Sequence, residues 1–275
     1  TTGDAELLMM VEAASRFMDD YCHRVFYAYT ATKYYDGPYP NRRFSDWDRV
    51  PQIKGTLNDF VTSYKLQLID GDDLLAITSL SVSTNGDRVF DTVLSSSLDY
   101  YLWPDNDFPK TRIDLDVING QLASWGNSRQ RIKIVGTWGY SNNLDTIVTT
   151  IATTVGASDL TISMTDGTKF AIGQTLLIDS EQIYITNIVT NTLTVQRAVN
   201  STTAATHATN AAIYKYHYVD QVVQATYIQT SRWWRRRGDG FANVLTNPAT
   251  GQTIVYKGLD PDIQGILATI ALQAL

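Results

Sequence analysis

The sequence predicts an α+β fold, in which a helical core carries a β region and an inserted small all-β domain. Both ends of the chain have apolar residues at helical spacing, whereas most of the chain between them is rich in β-branched and aromatic residues. The composition also changes near residue 141, and Arg and Lys are rare from there to about residue 216. We therefore expect residues 1–140 and 217–275 to form the core and residues 141–216 to form the inserted β-rich domain.

The composition limits the class of protein. The chain of 275 residues is long enough for one large or two small domains, and its net charge of −6 argues against a general nucleic-acid coat protein, which would be basic. Its single cysteine, Cys22, excludes an intramolecular disulfide. No apolar run approaches the roughly 20 residues that span a bilayer, and the first residues lack a signal-peptide pattern. We expect a soluble protein made in the cytoplasm.

A long N-terminal helix is predicted from Asp4, a suitable N-cap residue, to about Cys22. Its apolar face consists of Leu7, Met10, Val11, Ala14, Phe17, Met18, Tyr21 and Cys22. Leu8 and Met9 lie off this face. They are either ordinary, partly exposed residues or a contact with another subunit.

The β region follows the first helix. Alternating or apolar runs predict strands over residues 25–35, 64–69, 74–82, 88–94, 98–103, 111–117 and 130–140. Asn85 and Gly86 form the strongest hairpin signal in the chain. Residues 36–47 are rich in turn-forming residues and are predicted as a loop.

Short strands are also predicted in the inserted segment. They cover residues 159–164, 175–178, 182–188 and 192–197, and turns at Asp166-Gly167 and at Asn191 separate them. The two ends of the segment, Tyr140 and Tyr216, are expected to lie close together, because domains are commonly inserted at exposed connections.

A second long helix is predicted over residues 218–237. Its apolar face consists of Val219, Val222, Val223, Thr226, Tyr227, Thr230, Trp233 and Trp234. Arg235 and Arg236 in its last turn complement the helix dipole, and Gly238 is the expected stop. The basic end either packs against acidic neighbours or contacts a nucleic-acid backbone, with stacking support from the two tryptophans.

A C-terminal helix is predicted to begin at Asp260 as its N-cap, with Pro261 in the first helical position. One face consists of Ile263, Ile266, Leu267, Ile270, Ala271 and Ala274. No side chain from residue 263 to residue 275 is charged, so the helix should not stand alone in water. It is either a core helix or one that docks into another subunit or partner.

No catalytic or metal-binding motif was found. His23, His207 and His217 have no ligand spacing, with or without Cys22, and the Asp70–Asp73 run lacks the rest of an EF-hand. Arg237, Gly238 and Asp239 spell an adhesion tripeptide, but their place at a helix end is typical of a C-cap. The sequence also contains no phosphate loop, dinucleotide fingerprint or nucleophile elbow. We therefore expect neither catalysis nor a cofactor.

Four segments carry a family resemblance: ELLMMVEAASRFMDDYCHRVFYAYTATKYYDG at residues 6–37, DYYLWPDNDFPKTRIDL at 99–115, IKIVGTWGY at 132–140 before the second helix, and GLDPDI at 258–263. In this order they resemble the head–tail connector proteins of long-tailed bacteriophages, also called adaptor or head-completion proteins. The resemblance covers about residues 5–140 and 218–275. Residues 141–216 depart from it and are similar to small β modules of other virion proteins.

The resemblance implies a structural virion protein at the head–tail junction, made in the host cytoplasm. Such proteins form a ring under the portal, expected to be a dodecamer, that extends the DNA channel and joins the capsid to the tail. The implied partners are the portal protein, a tail or next-ring protein and other copies of the chain. Genomic DNA passes through without specific binding, and no membrane is involved.

The resemblance also implies roles for individual residues. Portal docking falls to the C-terminal segment, at Asp260, Pro261, Ile263, Ile266, Leu267 and Ile270. Subunit contacts fall to Leu8, Met9, Trp233 and Trp234. Arg235 and Arg236 are weaker candidates for the wall of the DNA channel.

A different class of function is a surface- or carbohydrate-binding module, in which the inserted β domain binds the ligand. That segment contains four aromatic residues, Phe170, Tyr184, Tyr214 and Tyr216, and no tryptophan, which makes a poor sugar platform. A third class, a hydrolase, has no nucleophile–base pair to support it.

Overall fold

The computed structural model describes residues 2–37, 64–68, 71–239, 244–246, 253–255, 259 and 261–272. The protein is mostly β, with 34% of residues in strands and 24% in helices. The predicted α+β class with a helical connector core is therefore wrong. Helical periodicity at the two ends of the chain is strong, but the long β-branched stretch between them builds sheets with hydrophobic cores of their own.

The chain divides into two compact units. Thr1–Phe26 and Tyr218–Leu275 form one, the helical unit, and Tyr27–His217 form the other, the β unit. Within the described residues, every α-helix belongs to the helical unit.

The helical unit contains three helices and a hairpin. They are α1 (Thr2–Cys22), α2 (Asp220–Arg236), β14 (Val244–Thr246), β15 (Thr253–Val255) and α3 (Pro261–Leu267). The side of α2 packs against both α1 and α3. The buried side chains are Met10, Ala14, Met18 and Cys22 of α1, Val222, Ala225, Gln229 and Thr230 of α2, and Ile263 and Leu267 of α3. Beyond α3, the N–H of Leu272 donates to the carbonyl of Cys22 at 3.0 Å, which ties the C-terminal segment to the end of α1.

The first part of the β unit has two antiparallel sheets. One has the order β1-β7-β3-β4 and the other β2-β6-β5. The strands are β1 (Tyr29–Tyr35), β2 (Lys65–Gln67), β3 (Leu74–Val82), β4 (Thr92–Leu94), β5 (Tyr100–Trp103), β6 (Arg112–Leu115) and β7 (Ile132–Trp138). Each lies within a strand predicted from the sequence. Gly86 has a φ of +72° in the turn between β3 and β4, which agrees with the hairpin predicted at Asn85 and Gly86.

The two sheets share one hydrophobic core. Inward side chains alternate along β7, and Trp125, Trp138 and Ile113 are fully buried. The indole N–H of Trp138 donates to the Ala31 carbonyl at 3.1 Å, and that of Trp125 to the Tyr64 carbonyl at 2.8 Å. The loop predicted over residues 36–47 lies almost entirely outside the described residues.

The second part of the β unit is a six-stranded antiparallel sheet with the order β8-β13-β10-β11-β12-β9. Its strands are β8 (Leu144–Thr150), β9 (Thr161–Ser163), β10 (Thr175–Ile178), β11 (Glu181–Val189), β12 (Thr192–Gln196) and β13 (Ala212–Tyr216). The sequence did not predict β8 and β13. They pair with each other, and Leu144 lies opposite Tyr216, which brings the two ends of the segment together.

The six-stranded sheet has a hydrophobic core of its own and a hydrogen bond to Ala28, just before strand β1. Its core includes Ile162, Leu176 and Ile213, all fully buried. The side chain of Gln182 is almost fully buried, and its Nε2 donates to the Ala28 carbonyl at 2.8 Å. Both parts therefore belong to the same compact unit.

Candidate functional site

Every predicted contact residue that the structure describes lies in the helical unit. Along α1, Met10, Ala14, Met18 and Cys22 form a buried stripe. The first turns of the helix are less covered: Leu8 is 48% exposed and Met9 64% exposed.

Leu7 and Val11 are exposed as well, although helical spacing assigns them to the buried face. The apolar surface of Leu7, Leu8, Met9 and Val11 is called the α1 apolar end below. Exposed apolar side chains grouped at one end of a helix can form an interaction site.

The basic end of α2 makes contacts within the helical unit. The ring of Trp233 meets Phe17 edge to face, with a centroid distance of 6.1 Å. The ring of Trp234 lies 3.8 Å from the guanidinium of Arg237, which also pairs with Glu6. Both tryptophans are half-buried. Each therefore already contacts a side chain of its own chain, Phe17 or Arg237.

The two arginines proposed for the DNA channel differ in exposure. Arg235 is exposed, whereas Arg236 is half-buried. The pairing of neighbouring Arg237 with Glu6 agrees with the interpretation that the basic helix end packs against acidic residues. A 3₁₀ turn, Arg237–Asp239, follows α2 and includes Gly238, the residue predicted to end the helix.

The helix α3 packs inside the helical unit. Ile263 and Leu267 are fully buried, Ile270 is almost so, and Ile266 is half-buried. Pro261 begins the helix and is exposed, whereas Asp260 lies outside the described residues. Ile263, Leu267 and Ile270 would have to leave this core to contact a partner directly. Portal docking through α3 stays a prediction.

One buried residue of α2 was not anticipated. The amide side chain of Gln229 is 2% exposed, and within the described residues its Oε1 has no hydrogen-bond partner. A glutamine is counted as polar in a helical pattern, so periodicity does not predict that Gln229 faces the core. A buried acceptor without a donor costs free energy.

Replacing Gln229 with methionine should stabilise the helical unit by about 1 kcal/mol, because an apolar side chain of similar shape removes the unsatisfied acceptor. Urea unfolding of both chains would measure the change. Gln224→Met, at an exposed position on the same helix, is the control and should have little effect. A loss of stability in the Gln229 variant would show that its amide is satisfied and structurally required.

The β unit contains a buried charge network around Glu181, whose side chain is fully buried. Arg197 donates to it through two nitrogens, each at 2.7 Å, in a bidentate ion pair. The backbone N–H groups of Ala198 and Ala205 donate at 3.1 and 2.9 Å. Burial raises the pKa of Glu181, but the hydrogen bonds from Arg197, Ala205, His207 and Ala198 outweigh it and hold the pKa at about 2.

His207 completes this network. Its Nε2 lies 2.9 Å from Glu181 Oε2 and its Nδ1 lies 2.7 Å from Asp179 Oδ2. Each ring nitrogen is therefore within hydrogen-bonding distance of a carboxylate oxygen of the same chain. The imidazole of His207 thus links Glu181 to Asp179.

The sequence did not identify this network, because its members are far apart along the chain. Arg197 follows β12, Glu181 begins β11 and His207 lies in the loop before β13. Arg197 also donates to the carbonyls of Gly156 and Asp159 at 2.8 and 2.9 Å. The network therefore fastens the loops at one end of the six-stranded sheet.

The acidic run near residue 72 has a structural role as well. Asp72 pairs with Lys33 and accepts a hydrogen bond from the Tyr35 hydroxyl at 2.5 Å, and Asp73 is buried. Asp70 lies outside the described residues. Across the part of the chain that the structure describes, no group of three or more His, Cys, Asp or Glu residues is arranged to hold a metal ion.

Comparison of the chain with protein-family models, with curated proteins and with solved structures gave no match. None of the described helices has the length and apolar character that crossing a membrane requires.

Proposed function

We propose that the chain is a structural, non-catalytic protein of a bacteriophage head–tail junction, which forms a ring under the portal and joins the capsid to the tail. The observation that supports this proposal is which segments of the chain form the helical unit. The helices α1, α2 and α3 each belong to a segment that resembles the connector family, and they fold into one unit although residues 27–217 separate the first from the other two.

The α1 apolar end is the proposed contact between neighbouring copies in the ring. Leu8 and Met9 are its most exposed members. A closed ring needs heterologous contacts, in which one surface of a subunit meets a different surface of the next. An apolar helix end can supply one half of such a contact, because burying it against a neighbour removes apolar surface from water.

The charge of the chain is compatible with a channel for DNA. A net charge of −6 favours sliding over tight phosphate binding, since like charges on a channel wall repel the backbone. Exposed Arg235 is the better of the two candidates for a weak contact with the passing DNA.

Native mass spectrometry of the purified chain, alone and mixed with the portal protein of the same phage, tests this proposal. We expect a ring, or a monomer that becomes a ring on the portal. The double variant Leu8→Glu, Met9→Glu should lose the ring, because each substitution would bury an unpaired charge at the contact. The control Asp20→Ser changes an exposed residue near the other end of α1 and should assemble normally.

Two results would contradict the proposal. A chain that stays monomeric with and without the portal would exclude the connector function. A double variant that assembles like the unmodified chain would exclude the α1 apolar end as the subunit contact.

A further inference from the structure

Two exposed aromatic residues, Tyr101 and Trp103, lie on the same face of the three-stranded sheet β2-β6-β5, whereas the described residues of the six-stranded sheet include no exposed aromatic side chain. In β5, Tyr100 is buried, whereas Tyr101 is 58% exposed and Trp103 48% exposed, as strand alternation requires. In the inserted segment, by contrast, Phe170 is buried, and Tyr184, Tyr214 and Tyr216 of the six-stranded sheet are half-buried.

The register of the sheet shows which side chains share this face. Asp114 of β6 lies opposite Tyr101, and Arg112 lies opposite Trp103. On the other side of β6, Asp114 lies opposite Lys65 and Arg112 opposite Gln67. The aromatic face is defined by Tyr101, Trp103, Arg112, Asp114, Lys65 and Gln67.

Contacts within the chain hold this face in place. Arg112 donates to Asp114 through Nε and Nη2, at 2.8 and 3.0 Å, and its guanidinium lies 4.9 Å from the centre of the Trp103 ring. The Tyr101 hydroxyl donates to Asp116 at 2.6 Å. Because these side chains are already fixed, a ligand would not have to order them on binding.

The spacing of the face fits a chain of sugar rings. Side chains two residues apart on a strand are separated by about 7 Å, and neighbouring strands by about 4.8 Å. These are the dimensions of one or two pyranose rings. The C–H face of a pyranose can lie against an aromatic ring, while its hydroxyls reach the charged and amide groups of the next strands.

The same groups make a protein partner a poorer fit. The cores of protein interfaces are depleted in charged residues, but here Arg112, Asp114 and Lys65 lie directly beside the aromatic rings. Covering them with a protein surface would desolvate an ion pair at a cost. A saccharide keeps the site wet and offers uncharged hydroxyls as both donors and acceptors.

We propose that the aromatic face binds a saccharide. Tyr101 and Trp103 stack against its rings, and Arg112, Asp114 and Gln67 hydrogen bond to its hydroxyls. This differs from a carbohydrate site in the inserted segment, and it does not depend on ring assembly by the helical unit.

Calorimetric and tryptophan-fluorescence titrations of the full chain would test the proposal, with cellohexaose, chitohexaose, maltohexaose and xylohexaose as probes. We expect at least one of them to bind. Trp103→Ala and Tyr101→Ala should each weaken that binding by about tenfold, the loss typical of one stacked ring. Both residues are exposed, so circular dichroism should show an unchanged fold.

The control is Tyr227→Ala, which removes an exposed aromatic residue from α2 and should leave the titration unchanged. The proposal is overturned if none of the four saccharides binds, or if binding survives both substitutions on β5. It is also overturned if Trp103→Ala changes the mass of the assembled protein, because the face would then be covered by another copy of the chain.

Discussion

Replacing Glu181 with glutamine is expected to lower the free energy of unfolding of the β unit by about 3–5 kcal/mol. The carboxylate accepts hydrogen bonds from Arg197 in a bidentate pair and contacts Nε2 of His207, and both of these side chains are buried. Glutamine keeps the shape of the side chain but removes its charge. Its NH₂ group is a donor and would face one of the donors that now bind the carboxylate, so that contact would lack an acceptor. The arginine, 6% exposed, would be left as a buried charge without its counter-ion.

Urea unfolding of the full chain at pH 7, followed by far-UV circular dichroism, measures this loss. The matched control is Asp145→Asn, which removes a carboxylate from the same six-stranded sheet. The Asp145 side chain is 44% exposed, and its partners Lys215 and His217 are also partly exposed, so its removal should cost less than about 1 kcal/mol. Equal effects of the two substitutions would show that burial adds nothing to the strength of the Glu181 network.

The pH dependence of the same comparison follows from the lowered pKa of Glu181. A carboxyl with a folded pKa of about 2, against an ordinary value of 4.5, binds protons more weakly in the folded chain. Its stabilisation, on the order of 3 kcal/mol, is present above the unfolded pKa and is lost as the pH falls through the folded one.

The difference in stability between the unmodified chain and Glu181→Gln should therefore be constant from neutral pH to about pH 5 and shrink between there and about pH 2. Unfolding curves at a series of pH values would show this. A difference that does not change across the interval would mean that the pKa of Glu181 is not lower in the folded chain than in the unfolded chain.

Local patterns predicted the positions of many helices and strands, but not the proportions of helix and strand in the whole fold. Alternation and turn residues were sufficient for the strands from β1 to β7, and the Asn85-Gly86 turn lies between β3 and β4 as expected. The pattern failed for β8 and β13, where polar Thr and Asn residues surround the apolar ones. The predicted fold class was wrong because helical periodicity identifies a helix but does not indicate whether helices or sheets form most of the fold.

The candidate sites show the same limit. Periodicity identified the apolar face of α1. It did not show that Leu7 and Val11 of this face are exposed, because burial depends on which helices pack against α1. The period of two in Tyr100–Trp103 could have identified the exposed pair on β5. The Glu181 network could not be predicted, because loops bring its residues together.

Truncating Ile263 and Leu267 to alanine is the second substitution for which a large loss is expected, about 2–5 kcal/mol at each position. Both side chains are fully buried in the helical unit, where α3 packs against α2. Removing them leaves cavities between helices, and the short helix has little stability of its own to offset the loss. Hydrogen exchange of the α1 and α2 amides, measured on the full chain, would report the loss as faster opening of the unit.

Ile266→Ala separates the two interpretations of α3. Ile266 is half-buried, so its truncation should cost clearly less stability than that of either neighbour. If α3 also docks into a portal, Ile266→Ala should weaken that binding while the helical unit stays folded. Should Ile263→Ala and Leu267→Ala leave hydrogen exchange unchanged, α3 is not held in the core, and its uncharged face is then available to a partner.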